Sequence, residues 1–117
     1  MLNLRFPIRA ISKSNEKIFN RQGRPFTSRR FKDFERSLQV SFLAQKPSDF
    51  KLLIGPIYVS ILCRFKDKRK PDTPNLPKSI TDAFNGIIWE DDRQISELKI
   101  QAILTDYDEI SMTVYEL

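Results

Sequence analysis

Histidine is absent from this sequence, and Cys63 is its only cysteine. Without histidine, Ser-His and Cys-His nucleophilic catalysis have no general base. Zinc sites and haem ligation lose their usual nitrogen and sulfur ligands. A lone cysteine cannot form an internal disulfide framework, and it fits a reducing compartment such as the cytoplasm. Cys63 itself reads as core filling rather than a reactive thiol. Any resident metal is then a hard cation held by oxygens. Long apolar runs are also missing. None approaches the ~20 residues that span a bilayer, so no membrane partner is expected. The opening stretch, MLNLRFPIRAISKSNEK, is interrupted by polar residues too often to form a secretory core.

What is present suits one α+β domain over residues 1–117. The chain is 40% hydrophobic and 30% charged, ordinary values for a globular protein with a single core. Its net charge of +5 conceals an asymmetry. Residues 1–70 hold 17 Lys and Arg against 5 Asp and Glu, whereas residues 71–117 hold 3 against 10. A basic majority attracts polyanions, of which nucleic acid is the commonest. The plainer reading of the same charges is a solvated, mildly basic surface.

Periodicity predicts the element order β-α-β-α-β-β with a mixed sheet. Leu2, Leu4, Phe6 and Ile8 alternate with polar residues, as in a half-buried strand. Residues 10–27 read as a long basic loop with a helical turn near Asn15–Phe19. Ser28 is placed to cap a helix running to about Gln45, with Phe31, Phe34, Leu38 and Phe42 as its apolar stripe. Period two returns at Ile57, Val59, Ile61, Cys63 and Phe65, which marks a central strand. A second helix is expected from Asn75 to Asn85, with Pro77 in its first turn and Gly86 as its stop. Ile95–Leu104 and Ile110–Leu117 then read as a hairpin around Asp106–Glu109. Ile88, Trp89 and the edge of the first strand are candidate subunit contacts.

The stretch RKPDTPNLPKSITDAFNGIIWEDDRQI, residues 69–95, carries the chemistry. Asp72 precedes the second helix, and Asp91 and Asp92 follow it. Adjoining strands would bring these acids together at one edge of the sheet. Clustered carboxylates repel and raise one another's pKa unless a cation lies between them, and Mg²⁺ suits such oxygen donors. Lys78 lies one turn into the helix, on the same face as Asn75 and Asp82. Read plainly, Asp72 is a helix-end charge, Lys78 an ordinary pair with Asp82, and residues 90–92 a solvated turn. Asn75 is expected to cap the helix.

As an ordered set, Pro71-Asp72, Asn75-Leu76, Lys78, Asp82-Ala83, Asn85-Gly86, Asp91-Asp92 and Gln94-Ile95 resemble the RusA family of Holliday-junction resolvases. The resemblance implies a RusA-like α+β subunit, bacterial or phage-encoded, acting as a homodimer. It also implies paired symmetric nicks in four-way junction DNA, in recombination and repair, with Mg²⁺ or alternatively Mn²⁺. Carried over by position, the catalytic acids fall on Asp72 and Asp92 and the catalytic lysine on Lys78. A further acid of the pattern falls where this chain has Pro74, which can neither bind metal nor accept a proton. Three explanations stand. Asp91 or Glu97 substitutes as a metal ligand, Glu97 being expected on the side of Ile95 and Lys99. Or fewer protein ligands suffice. Or catalysis is lost and a non-catalytic nucleic-acid-binding protein remains. Binding to phosphates is expected from Lys68, Arg69 and Lys70 beside the acids, and from Arg21, Arg24, Arg29 and Arg30. Phe19, Phe26 and Phe31 are candidates to wedge into the junction, although core packing suits Phe31 better.

Overall fold

The computed structural model describes the backbone of residues 1–12, 17–19 and 25–117, and the side chains of 1–12 and 28–117. Four strands form one sheet in the order β1-β6-β4-β5: β1 is Leu2–Phe6, β4 Ile57–Phe65, β5 Ile95–Leu104 and β6 Glu109–Glu116. β6 runs antiparallel to both β1 and β4, while β5 lies parallel to β4. The mixed sheet is therefore as expected. A hairpin of the last two strands is not. β5 and β6 flank β4 on opposite sides, and the connection between them passes the end of β4, where Thr105 N–H donates to the Phe65 carbonyl (2.7 Å) and Lys66 N–H to Asp108 Oδ1 (2.9 Å). Alternation reveals which face of a strand is buried but not which strand lies beside it. Burial explains the placement. β4 and β6 bury every second side chain, as interior strands do, whereas β5 buries none completely.

Ahead of the first helix, β2 (Lys17–Phe19) and β3 (Pro25–Thr27) pair antiparallel as a separate two-stranded sheet. Lys17–Phe19 are thus strand and not part of the helical turn expected near Asn15–Phe19, whose first two residues lie outside those described. β-branched and aromatic residues at 18, 19, 26 and 27 favour extended backbone.

α1 spans Arg29–Gln45 and begins as its sequence predicts, the Ser28 hydroxyl accepting from Phe31 N–H (3.2 Å). Phe31, Phe34, Leu38 and Phe42 are its buried residues, and they pack with Leu4, Phe6 and the inward face of β4. Phe31 is fully buried, which leaves it no role as a wedge. The second helix is shorter than its pattern. α2 covers Leu76–Thr81 and is flanked by single 3₁₀ turns at Thr73–Asn75 and Asp82–Phe84. Pro74 and Pro77 lack the N–H groups a longer ladder needs, so the first turn tightens. Asn75 stands at the cap position but makes no side-chain capping bond, contrary to expectation.

Phe84 anchors this segment from below. Its ring lies 5.6 Å from Phe6, 6.2 Å from Phe42 and 6.1 Å from Trp89, centroid to centroid. Gly86 adopts φ 77°, a left-handed conformation that stops the helix and lets its N–H reach the Trp89 carbonyl (2.7 Å). The Trp89 indole N–H donates to Asn85 Oδ1 at 2.8 Å. Trp89 and Ile88 are fully buried, so neither is a subunit contact.

Candidate active site

The acidic turn that carries Asp91 and Asp92 is positioned by a clasp just before the start of β4. Residues 88–90 bond to Leu53: Leu53 N–H donates to the Ile88 carbonyl (2.9 Å), and Glu90 N–H to the Leu53 carbonyl (3.2 Å). Gln94 completes the clasp. Its amide donates to the carbonyls of Leu53 and Gly55 at 2.9 Å each, and its Oε1 accepts from Asp91 N–H at 2.8 Å. Asp91 closes a reciprocal capping box by accepting from Arg93 N–H (3.0 Å). The Arg93 amide, chiefly, and the neighbouring Asp92 carboxyl hold the Asp91 carboxyl below its ordinary pKa. Asp91 is thus spent on building the turn, and that turn presents Asp92.

Asp92 lies in a shallow cleft of about 430 Å³ walled by Pro74, Pro77, Lys78, Thr81, Ile95, Ser96 and Leu98. The Lys78 ammonium stands 3.0 Å from Asp92 Oδ2 and 3.0 Å from Asp82 Oδ1. The ordinary i,i+4 pair expected with Asp82 is present, and a long-range pair with Asp92, which the spacing did not announce, joins it. Asp82 first and Asp92 second raise the Lys78 pKa above its usual value. The ammonium is a permanent charge and donor at neutral pH, and no base.

Asp72 is exposed, at the cap position of the 3₁₀ turn that carries Pro74. Its carbonyl accepts from Asn75 N–H (3.0 Å), while its carboxylate makes no capping bond. Pro74 therefore forms part of the same wall as Lys78 and Asp92. Glu97 is placed elsewhere. A register shift between Ile57 and Tyr58 inserts Ser96, so that Ile95 pairs with buried Ile57 but Glu97 with Tyr58. Glu97 consequently shares the outer face with Lys99 but not with Ile95, and it is not a wall of the cleft.

Among the described residues, no three His, Cys, Asp or Glu side chains are grouped to hold one metal ion. The donors available are single carboxylates on separate segments. They suit a hydrated hard cation, which needs only one or two carboxylates besides water and phosphate oxygens, and they do not suit a closed cage.

Beside Asp72 lies a second, basic pocket of about 230 Å³, walled by Arg9, Ala10, Ile11, Ser12, Arg30, Arg69, Lys70 and Pro71. Three of the residues expected to bind phosphate, Arg30, Arg69 and Lys70, meet here from two distant parts of the chain. Lys68 and Arg29 are exposed outside it, and Arg21 and Arg24 lie outside the described residues. Sequence reasoning missed Arg9. Its guanidinium binds Asp67 (2.9 Å), Asp108 (3.1 Å) and the Arg69 carbonyl (2.6 Å), and lies 5.1 Å over the Phe65 ring. Asp67 in turn accepts from Arg69 N–H at 2.9 Å, which is the main cause of its lowered pKa. Arg9 and Asp67 thereby fix the turn that presents Arg69 and Lys70. Nothing in the spacing of Arg9 announced this, because its partners lie about 60 and 100 residues away in sequence.

No helix among the described residues is long and apolar enough to cross a membrane. The family model for endodeoxyribonuclease RusA matches residues 7–115. No protein among the curated sequences matches.

Proposed function

The chain belongs to the RusA family of endodeoxyribonucleases, and from that premise we propose that it resolves four-way DNA junctions by paired symmetric nicks. Asp72, Asp92 and Lys78 are the catalytic residues of this reading, and a homodimer in the bacterial cytoplasm, host- or phage-encoded, is its working form. What supports it most is one observation: Lys78, Asp92 and the Pro74 position share a cleft open to solvent, and Pro71, just before Asp72, lines a pocket with four cationic side chains, Arg9, Arg30, Arg69 and Lys70.

The basic pocket binds the DNA backbone. Arg30, Arg69 and Lys70 neutralise phosphates, and the binding releases counterions without reading sequence. Asp72 and Asp92 would hold Mg²⁺ (or Mn²⁺), which supplies Lewis-acid charge and an activated water when bound. Lys78 has two tasks. Before DNA arrives it neutralises Asp82 and Asp92 and so keeps two carboxylates together at low cost. With DNA bound, its exposed ammonium reaches a phosphate oxygen and stabilises the negative charge that grows in the transition state. Pro77 and Thr81 keep that side of the cleft rigid. Pro74 removes one oxygen donor, and the reading therefore takes the option of fewer protein ligands, since Asp91 is bound in its cap and Glu97 lies across the sheet.

The test is a synthetic mobile four-way junction incubated with and without Mg²⁺, followed on denaturing gels. Symmetric, ligatable nicks that require the cation are expected. Tight junction binding with no nicking under any divalent cation would leave the non-catalytic binding protein as the surviving reading.

A further inference from the structure

The two edges of the sheet are finished differently. At β1, Arg5 N–H donates to Gln45 Oε1 (3.0 Å), and Gln45 Nε2 donates back to the Arg5 carbonyl (2.8 Å). A side-chain amide from the end of α1 thus occupies the outward backbone groups of that strand, which prevents another strand from adding there. The other edge, β5, has ten residues and only β4 as a strand partner among the described residues.

Thr105 N–H points to the Phe65 carbonyl. In a parallel ladder alternate residues bond to a given neighbour, so the N–H and C=O groups of Leu98, Ile100 and Ala102 face outwards. The side chains along this edge are also unspent. Leu98 and Leu104 pair with Val59 and Phe65 on the helix side of the sheet, yet they are 46% and 53% exposed. Glu97 and Lys99, exposed on the outer face, flank Leu98 with opposite charges.

We propose that β5 is where two copies of this chain meet, pairing antiparallel about a twofold axis through Leu98 and joining the two sheets into one of eight strands. In that register Leu98 lies opposite the partner subunit's Leu98, and Glu97 lies opposite the partner subunit's Lys99, twice by symmetry. Glu97 and Lys99 fall at non-hydrogen-bonded positions, where facing side chains are closest. Charge fixes the register. Sliding by one pleat repeat in one direction sets Lys99 against the partner subunit's Lys99, and in the other direction Glu97 against the partner subunit's Glu97. Because Ser96 and Leu98 also wall the cleft of Lys78 and Asp92, the axis passes beside both clefts. The geometry of this interface stands on the strand edge alone, and only its purpose, two coordinated nicks, rests on the nuclease reading.

The test is sedimentation of the full chain alongside junction cleavage by the same preparations. The wild type is expected to be dimeric at micromolar concentration. Glu97→Lys and Lys99→Glu should each weaken the dimer by about tenfold or more, and the double exchange should restore it. Leu98→Cys should form an intersubunit disulfide under mild oxidation, with no competition from Cys63, which is fully buried. A monomeric wild type, or a dimer indifferent to both reversals and uncrosslinked through residue 98, overturns the interface. A monomer that nicks junctions defeats the interface but not the nuclease reading. A dimer with these responses and no nicking does the reverse.

Discussion

The Lys78 ammonium is hydrogen-bonded to Asp92 Oδ2 at 3.0 Å, across 14 residues of chain. This bond ties the helix that precedes the acidic turn to the turn itself, and Asp82 shares the same ammonium at 3.0 Å. Replacing Lys78 with methionine keeps the stem and removes the charge. Junction nicking is expected to fall by roughly 10²–10³-fold in single-turnover assays, with junction affinity changed far less. The pH dependence has a definite sign. A raised lysine pKa favours the charged, paired form, so the contribution of this ion pair is intact below the ordinary value of 10.5 and is lost as pH rises through the higher folded value. Nicking between pH 7 and 9 should therefore show no decline attributable to Lys78.

Pro74 walls the cleft that holds Lys78 and Asp92. Pro74→Asp adds an oxygen donor at that wall. The Mg²⁺ concentration for half-maximal nicking is expected to drop by roughly tenfold, because carboxylate count sets affinity for hard cations. An unchanged Mg²⁺ titration would show that position 74 is not directed at the cation.

Gln94 is the keystone of the clasp, with bonds to Leu53, Gly55 and Asp91. Gln94→Ala takes the side-chain partner from the Gly55 carbonyl and the Asp91 N–H, and leaves the Leu53 carbonyl with Glu90 N–H alone. A loss of about 2 kcal/mol in urea unfolding is expected. Nicking should also fall, since Asp92 is adjacent to the turn that Gln94 holds.

Arg69 and Lys70 line the basic pocket. Changing either to alanine should weaken junction binding across all sequences and reduce the log–log salt slope by about 0.9 for each phosphate no longer neutralised. Arg9→Ala is expected to mimic them indirectly, by releasing the turn at Asp67.

Cys63 is fully buried, and removal from water pushes the pKa of its thiol up to about 12. The native protein should leave a thiol-reactive chromophore uncoloured at pH 8, with one equivalent reacting after denaturation.

Several of these features were legible in the sequence. The apolar stripe of α1, its Ser28 cap and the alternation of β4 follow from local periodicity, and each formed as its residues dictate. The ordered motif from Pro71 to Ile95 pointed to the family that matches the chain. Other features depend on tertiary partners, which periodicity does not encode. β6 between β1 and β4, the register shift that turns Glu97 away from Ile95, and the bonds of Arg9 all join residues remote in sequence. Gln94 was visible as a motif residue, but its work became apparent only with the backbone of residues 53–55 beside it.

The pairing of Leu2 with Val114 bears on how the chain is made. β1 has β6 as its strand partner, so it must wait for residues 110–114 to be made before its ladder can close. Synthesis delivers about 5–20 residues per second, which leaves β1 unpaired for several seconds. Its apolar residues must shelter meanwhile against α1, and the sheet sets only once β6 has left the ribosome.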